Sequence, residues 1–176
     1  MILRDAAPGE IELILSHTHA LWSDGLDPAA YRDFIGALMA TDWARQGVRN
    51  YRFLALLDEG AGQVLAGMKL YRFTARLDDR LVTVGGIGAV FTLPAARGRG
   101  MAAEMISRAH SIMAARGAAL SLLNSEIGAA YYARLGYREL AAHAARIQVP
   151  ARGGAAPAVR PMRPDELGAV IRIREK

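Results

Sequence analysis

The residues with the clearest chemical potential lie between positions 97 and 103, where two glycines alternate with arginines. Arg97-Gly98-Arg99-Gly100 follows an apolar run and a proline, and an alanine-rich segment without a helix breaker follows it. This order predicts a strand, a tight loop and a helix. Glycines let the backbone approach a ligand closely, and the first turn of a helix has free amides and a positive dipole end. The stretch is therefore a candidate anion-binding loop.

Two motifs resemble those of the GNAT acyltransferases. Arg97-x-x-Gly100-x-Ala102 is similar to the acetyl-coenzyme A loop of that family, and residues 130–138, Ala-Tyr-Tyr-Ala-Arg-Leu-Gly-Tyr-Arg, resemble its later tyrosine segment. Each motif is short, but the two occur in the order that the family shows. The resemblance implies an α/β (α+β) GNAT fold, with a mixed central sheet, two splayed parallel strands and flanking helices. It also implies an N-acetyltransferase that moves acetyl from acetyl-coenzyme A to a primary amine.

The resemblance further implies which residues hold acetyl-coenzyme A. Strand residues before the loop would pair with the pantetheine arm, and amides of the loop and the helix start would hold the pyrophosphate. The cofactor-binding residues expected in this way are Val90, Phe91, Thr92, Arg97, Gly98, Arg99, Gly100, Met101, Ala102, Ala103, Asn124 and Ser125. We expect no metal, because the four histidines lack metal-ligand spacing and cysteine is absent.

Tyr132 occupies the tyrosine position of the family, so the resemblance implies that its hydroxyl donates a proton to the departing thiolate. The alternative is that Tyr132 only packs in the core. Tyr131 and Tyr137 are interpreted as structural. Many family members carry a glutamate on the strand before the loop, whereas this chain has Gly-Gly-Ile-Gly at residues 85–88. The sequence therefore leaves two candidates for the general base, Glu126 and a water relay. Without a cysteine to carry an acyl group, we expect direct attack by the amine in a ternary complex.

Residues 22–43 offer candidates for an acceptor site. The aromatic and acidic residues of this region either line a substrate pocket or belong to the core and to turns. They are Trp22, Asp24, Asp27, Tyr31, Asp33, Phe34, Asp42 and Trp43. The acceptor is open between an aminoglycoside-like polyamine, a free amino acid and a protein amine. Asp24 and its acidic neighbours would favour a cationic acceptor.

The strands and helices that position these residues are predicted in a definite order along the chain. Hydrophobic periodicity and turn signals predict an edge strand, two helices, a hairpin, a third long strand, a crossover helix, a further strand and a last helix. Their expected ranges are residues 1–4, 10–22, 29–41, 51–57, 63–73, 81–92, 99–116, 118–123 and 127–135, with a polar turn at 76–80. A strand, a crossover helix and a parallel strand form a right-handed unit, which makes the sheet mixed.

Composition narrows the class of protein. The chain has 176 residues, of which 52% are hydrophobic and 22% are charged, so it has the composition of a globular domain. It contains no long uncharged apolar run, its start lacks a secretory h-region, and it has no cysteine, so we expect a cytoplasmic protein without a membrane segment. The net charge is +5, but the arginines are scattered, which makes nucleic-acid binding an unfavoured interpretation.

The C-terminal region suggests a second unit. We expect an acetyltransferase domain at residues 1–149, a linker at 150–158 and an extension at 159–176, in which Arg160, Pro164 and Glu166 repeat the spacing of Arg4, Pro8 and Glu10. Tandem GNAT proteins of the enhanced-intracellular-survival type look similar in their N-terminal half. The alternative function is a silent acyl-coenzyme A binding module, or the N-terminal part of a larger acetyltransferase. Whether the protein forms a homo-oligomer is open.

Overall fold

A computed structural model describes residues 1–47, 49–125 and 127–140. The chain forms β1 (Ile2–Asp5), α1 (Pro8–Trp22), α2 (Pro28–Ala40), α3 (Asp42–Arg45), β2 (Tyr51–Leu57), β3 (Val64–Leu77), β4 (Arg80–Thr92), α4 (Met101–Ala115), β5 (Ala118–Leu123) and α5 (Ala129–Ala133). No helix among the described residues is long and apolar enough to cross a bilayer.

The five strands form one sheet in the order β1-β2-β3-β4-β5. The first four are antiparallel neighbours, whereas β5 runs parallel to β4 and is reached through α4. A parallel neighbour requires such a crossover, because a tight hairpin joins only antiparallel strands. The mixed sheet with flanking helices that the sequence predicts is confirmed.

Apolar side chains leave both faces of the sheet, so the fold has two cores. On β2, Leu54 and Leu56 belong to a cluster that includes Met105 of α4, whereas Phe53 belongs to a second cluster with Ile14 of α1. Successive strand residues point to opposite faces, and a strand covered on both sides therefore reads as a continuous apolar run. The cluster with α4 is called the α4 core below, and the other the α1 core.

The sheet is irregular near the end of β4. Register with β3 shifts between Gly67 and Lys69, and Ala89 has a positive φ of 47° on the opposite strand. One extra residue on β4 produces this β-bulge. The last pair between β4 and β5 is Ile87 with Leu123, while β4 itself continues to Thr92. The parallel edge of β4 is therefore open from the bulge onward among the described residues.

Several element boundaries differ from the expected ones. The turn predicted at residues 76–80 is present but shorter than expected: β3 continues to Leu77, β4 begins at Arg80, and Asp78 and Asp79 make the turn with φ values of 45° and 62°. Two positive φ values define the tight hairpin turn that suits the strand twist, so only two residues are needed. The short helix α3 is not anticipated by the sequence pattern. The linker and the extension expected from residue 150 lie outside the described residues.

Candidate active site

The loop between β4 and α4 is built on two left-handed glycines. Gly98 has a φ of 72° and Gly100 a φ of 76°, and Gly100 is the residue immediately before the helix. A Cβ at either position would meet no atom within 4 Å, so backbone conformation and not space explains the glycines here. A residue with a side chain in this region is strained by about 1–2 kcal/mol.

Most amides of this loop have no acceptor within the part of the chain that the structure describes. Arg97 donates its amide to Pro94 at 3.3 Å, and the next amide that finds an acceptor is that of Glu104, bonded to Gly100 at 3.0 Å. Among the described residues, the amides of residues 98–103 have no acceptor. These free donors and the positive end of the α4 dipole lie together at one point of the surface. The arrangement can bind an anion such as a pyrophosphate.

The two loop arginines differ in how they are held. Arg97 donates from Nε to the carbonyl of Thr92 at 3.2 Å, which ties the loop to the end of β4. Arg97 and Arg99 are both exposed. Exposed charges are screened by solvent, so their contribution to binding an anion is smaller than that of the backbone amides beside them.

The last residues of β4, just before the loop, contact both cores. Val90 packs against the α4 core, while Phe91 packs against the α1 core and lies parallel to the ring of His17, with centroids 5.6 Å apart. Thr92 is half-buried at the end of the strand. Sequence reasoning gave His17 no role. The stacking brings an exposed imidazole from α1 to this end of the sheet.

Tyr132 lies in the α4 core together with Ala96 and Met101, which flank the loop. Its side chain is 8% exposed and packs edge-to-face against Tyr131 and Tyr137, at centroid distances of 5.1 and 6.0 Å. Its hydroxyl has no hydrogen-bond partner among the described residues. The structure therefore places an uncommitted phenol in the core next to the loop.

Tyr137 has a different environment. Its hydroxyl is hydrogen-bonded to His110 Nε2 at 2.8 Å and to Ser121 Oγ, which joins α4 and β5 to the segment after α5. Burial raises the pKa of Tyr137 and lowers the pKa of His110. Tyr131 is partly buried, which raises its pKa, and Arg134 lies over its ring. These contacts fit the structural interpretation of Tyr131 and Tyr137.

Asn124 and Ser125 follow directly after β5, next to the point at which its pairing with β4 ends. Both are exposed. Ser125 Oγ accepts from the amide of Ile127 at 3.0 Å and so closes a local turn. The helix beyond it starts only at Ala129, with Gly128 as its N-cap, so Ser125 does not cap that helix. Glu126, the candidate base, lies outside the described residues.

Glycines of β4 make room for larger side chains from neighbouring elements. A Cβ at Gly88 would lie 2.9 Å from Cε2 and 3.2 Å from the hydroxyl of Tyr71, and a Cβ at Gly85 would overlap Met113. The ring of Tyr71 therefore occupies the space where residue 88 would place a side chain. Burial raises the pKa of Tyr71, so this phenol is not a base near neutral pH.

Tyr31 belongs to the α1 core and is 2% exposed. Its hydroxyl accepts from Nζ of Lys69 at 3.0 Å, and the same ammonium lies 5.3 Å from the Tyr31 ring centroid and 5.8 Å from that of Phe53. Lys69 is 6% exposed and was missed by sequence reasoning. A lysine within the largely apolar run at residues 64–71 was the signal that could have indicated it.

The other acceptor candidates lie at the surface. Trp22, Phe34 and Trp43 keep 38%, 57% and 39% of their surface exposed, so they are not core residues. Asp27 has a structural task, since its Oδ1 accepts from the amides of Ala29 and Ala30 and caps α2. The remaining acidic candidates are Asp24, Asp33 and Asp42, all exposed.

Three comparisons relate this geometry to known proteins. The family model for an acetyltransferase (GNAT) domain matches residues 3–140. A GCN5-related N-acetyltransferase from Ralstonia eutropha JMP134 superposes with a TM-score of 0.60 at 25% identity, over 83% of this chain and 97% of that one. The aminoglycoside antibiotic 6'-N-acetyltransferase AAC(6')-IG from Acinetobacter haemolyticus gives a TM-score of 0.59 at 17% identity, over 84% and 100%.

A glucosamine-6-phosphate N-acetyltransferase from Arabidopsis thaliana gives a TM-score of 0.60 at 11% identity, over 83% of this chain and 97% of that one. No curated protein sequence matches the chain. The solved structures share the fold, and the family model covers well over half of the residues, including the loop and the tyrosine segment. The chain therefore belongs to the GNAT acetyltransferase family and is an acyltransferase.

Proposed function

We propose that the protein is an N-acetyltransferase that moves acetyl from acetyl-coenzyme A to a primary amine by direct attack. The observation that carries the proposal is the group of free amides at residues 98–103, next to the open end of β4. Membership of the acetyltransferase family supports the same activity. No cysteine is present to form an acyl-enzyme, which favours a ternary complex.

In this proposal the cofactor occupies the loop and the open strand edge. Its pyrophosphate accepts hydrogen bonds from the amides of Gly98, Gly100 and the first residues of α4, where the helix dipole adds positive potential. Its pantetheine amides pair with the backbone of residues 90–92, since that edge of β4 has no strand partner among the described residues. Asn124 and Ser125 would border the cofactor from the end of β5.

The chemical step needs a proton for the leaving group. A neutral amine attacks the thioester carbonyl, a tetrahedral intermediate forms, and the carbon–sulfur bond breaks as the carbonyl reforms. The departing thiolate takes the hydroxyl proton of Tyr132, and the phenolate regains a proton from solvent. The supporting observation is that the hydroxyl of the buried Tyr132 has no protein partner among the described residues, whereas that of Tyr137 is bonded to His110 and Ser121.

The nitrogen of the incoming amine must give up a proton during the transfer. The glycine stretch of β4, residues 85–88, supplies no carboxylate that could accept this proton. We propose that water at the open end of β4 relays the proton and that the exposed imidazole of His17 receives it. Imidazole is the side chain best suited to proton transfer near neutral pH. The stack of His17 on Phe91 supports this assignment, because Phe91 belongs to the open end of the strand.

The acceptor is proposed as a small molecule with a primary amine, bound beside α1 and α2. The exposed rings of Trp22, Phe34 and Trp43 and the exposed carboxylates of Asp24 and Asp33 suit a cationic ligand. Solved structures with the same fold include enzymes whose names give an aminoglycoside and an amino-sugar phosphate as acceptors. These compounds and free amino acids form the panel to test.

The cofactor site is tested by calorimetric titration of acetyl-coenzyme A into the wild type and two variants. Gly100→Glu adds strain, bulk and negative charge at the loop. Gly117→Glu is its matched control, because Gly117 has a similar φ of 78°, also has nothing within 4 Å and lies at the other end of α4. We expect Gly100→Glu to abolish binding and Gly117→Glu to retain it. Absence of binding by the wild type would refute the proposal.

Activity is then tested by free-thiol release from acetyl-coenzyme A with each amine of the panel. Release with one class of amine supports the proposal and names the acceptor. Binding without release by any amine would favour the second candidate, a silent acyl-coenzyme A binding module. The observation behind that candidate is the ring of Tyr71, which fills the space of a side chain at Gly88.

Two further proposals concern the domain arrangement and the cellular location. We propose that the chain corresponds to the N-terminal half of a tandem acetyltransferase, on the repeated spacing at Arg160, Pro164 and Glu166. We propose a cytoplasmic location from the lack of cysteine.

A further inference from the structure

A cleft lies far from the loop, at the C-terminal end of α4. The cleft opens to solvent, and the part that it encloses has a volume of about 20 Å³. Its walls come from the starts of β2, β4 and β5, the middle of β3 and the end of α4. Since α4 has 15 residues, its two ends are about 22 Å apart. The cleft is therefore separate from the proposed cofactor site.

Arginine dominates the lining of this cleft. Four of the eleven described lining residues are arginines, Arg49, Arg52, Arg72 and Arg116, and none of the eleven is acidic. The floor is apolar and includes Leu70, Met113 and Ala118. We call it the arginine cleft. An arginine-rich wall above an apolar floor is the composition of a site for a small anion.

Two of these arginines carry buried donors without an acceptor. Arg52 is 7% exposed, and its Nε donates to Asp5 Oδ1 at 2.6 Å, but its Nη1 is buried and unpaired among the described residues. Arg72 donates weakly from Nη2 to Thr83 at 3.5 Å, and its Nε is likewise buried and unpaired there. Both side chains line the arginine cleft.

The charges in the arginine cleft are not balanced by the described protein. A guanidinium keeps its charge in proteins, and a buried charged donor without a partner is costly. Arg52 and Arg72 lie on adjacent strands as diagonal neighbours, since Arg52 pairs with Leu70 and Arg72 is two residues further along β3, so their charges repel each other. Asp5 is the one carboxylate in contact with either of them in the described structure, and its side chain is 55% exposed. An external anion bound in the arginine cleft would balance the two charges and relieve the repulsion.

The other two arginines are secondary. Arg116 follows the last residue of α4, where the helix dipole favours a cation even without a ligand. Arg49 is exposed. Neither requires an anion to explain its position, so the inference depends on Arg52 and Arg72.

We propose that the arginine cleft binds a small oxyanion, a phosphate or carboxylate group carried by a small molecule, through Arg52 and Arg72. Two guanidinium groups that line one cleft can each donate to the oxygens of such a group. The site is independent of the acetyl transfer proposed above.

The test is calorimetric titration of inorganic phosphate, and separately of succinate, into the full chain at constant ionic strength. Three proteins are compared: wild type, Arg72→Met and Arg76→Met. Arg76 lies on the same strand, is 67% exposed and does not line the arginine cleft, so its variant loses the same charge elsewhere. We expect Arg72→Met to raise the Kd about tenfold or more, the effect of one hydrogen bond to a charged group, and Arg76→Met to leave it unchanged.

Two further proteins keep this test decisive. Gly100→Glu should retain phosphate binding, which separates the arginine cleft from the loop. Arg72→Gln removes the same charge but keeps a polar side chain on the strand, so it should also weaken binding, and it covers the case in which Arg72→Met fails to fold. Tighter binding of phosphate or of succinate assigns the ligand class. Equal affinities in the wild type, Arg72→Met, Arg72→Gln and Arg76→Met, or no binding of either anion, would overturn the proposal.

Discussion

Replacement of Tyr132 by phenylalanine separates catalysis from packing in this fold. The ring is 8% exposed and keeps its edge-to-face contacts with Tyr131 and Tyr137 in the variant, whereas the lost hydroxyl has no protein partner among the described residues. A substitution that removes no packing and no hydrogen bond changes the free energy of unfolding by no more than about 0.5 kcal/mol. Loss of a general acid lowers kcat by about 10²- to 10⁴-fold.

The matched control is Tyr137→Phe, which removes a hydroxyl from the neighbouring ring. That hydroxyl is bonded to His110 and Ser121. Each bond contributes about 1 kcal/mol, so the free energy of unfolding should fall by about 2 kcal/mol. For a chain of this size the Tm would fall by about 4–8 °C. Since Tyr137 has no assigned chemical task, its kcat should stay near that of the wild type.

The assay is thiol release with the best amine of the panel, together with calorimetric titration of acetyl-coenzyme A and thermal unfolding. We expect Tyr132→Phe to lose turnover while its Kd for acetyl-coenzyme A and its Tm stay unchanged. Tyr137→Phe should show the opposite pattern. A Tyr132→Phe enzyme with at least half of the wild-type kcat would refute the assignment of Tyr132 as the acid.

Two other expectations follow from burial. Because burial lowers the pKa of His110, the unfolded chain binds this proton more tightly than the folded one. The contribution of His110 to stability should be full above about pH 6.5 and decrease as the pH falls toward the lowered pKa of the folded state. Urea unfolding at several pH values measures this. The same dependence of the free energy of unfolding on pH in His110→Gln would contradict it. Gly88→Ala should lower the free energy of unfolding by about 1–3 kcal/mol because its Cβ would lie 2.9 Å from Tyr71. Gly128→Ala, with nothing within 4 Å, is its control, and equal stability of the two variants would refute the overlap.

Local features of the fold were predictable from the sequence. Gly98 and Gly100 between arginines indicated the loop, and the alternation and turn signals located the strands within a few residues. The turn predicted at residues 76–80 was longer than the observed one, which shows the limit of this reasoning. Asp78 and Asp79 adopt positive φ values because two strands of matching length must meet there, and strand length depends on pairing as well as on local preference.

The candidate site was predictable in part. The motifs led to the loop and to Tyr132, since both depend on short segments of contiguous sequence. His17, Lys69 and Tyr71 were not found. Each reaches the site or the core from a distant segment, and its partner is set by the packing of helices on the sheet.

The sequence by itself determined what depends on neighbours along the chain: the glycine loop, the helix after it, the apolar strands and the membership of an acetyltransferase family. Tertiary structure alone decided what depends on register. The bulge at Ala89 opens the edge of β4, the pairing of β2 with β3 brings Arg52 next to Arg72, and helix packing leaves the Tyr132 hydroxyl without a described partner while that of Tyr137 is bonded. The physical reason is that backbone conformation follows from local sterics, whereas side-chain contacts follow from which strands and helices become neighbours.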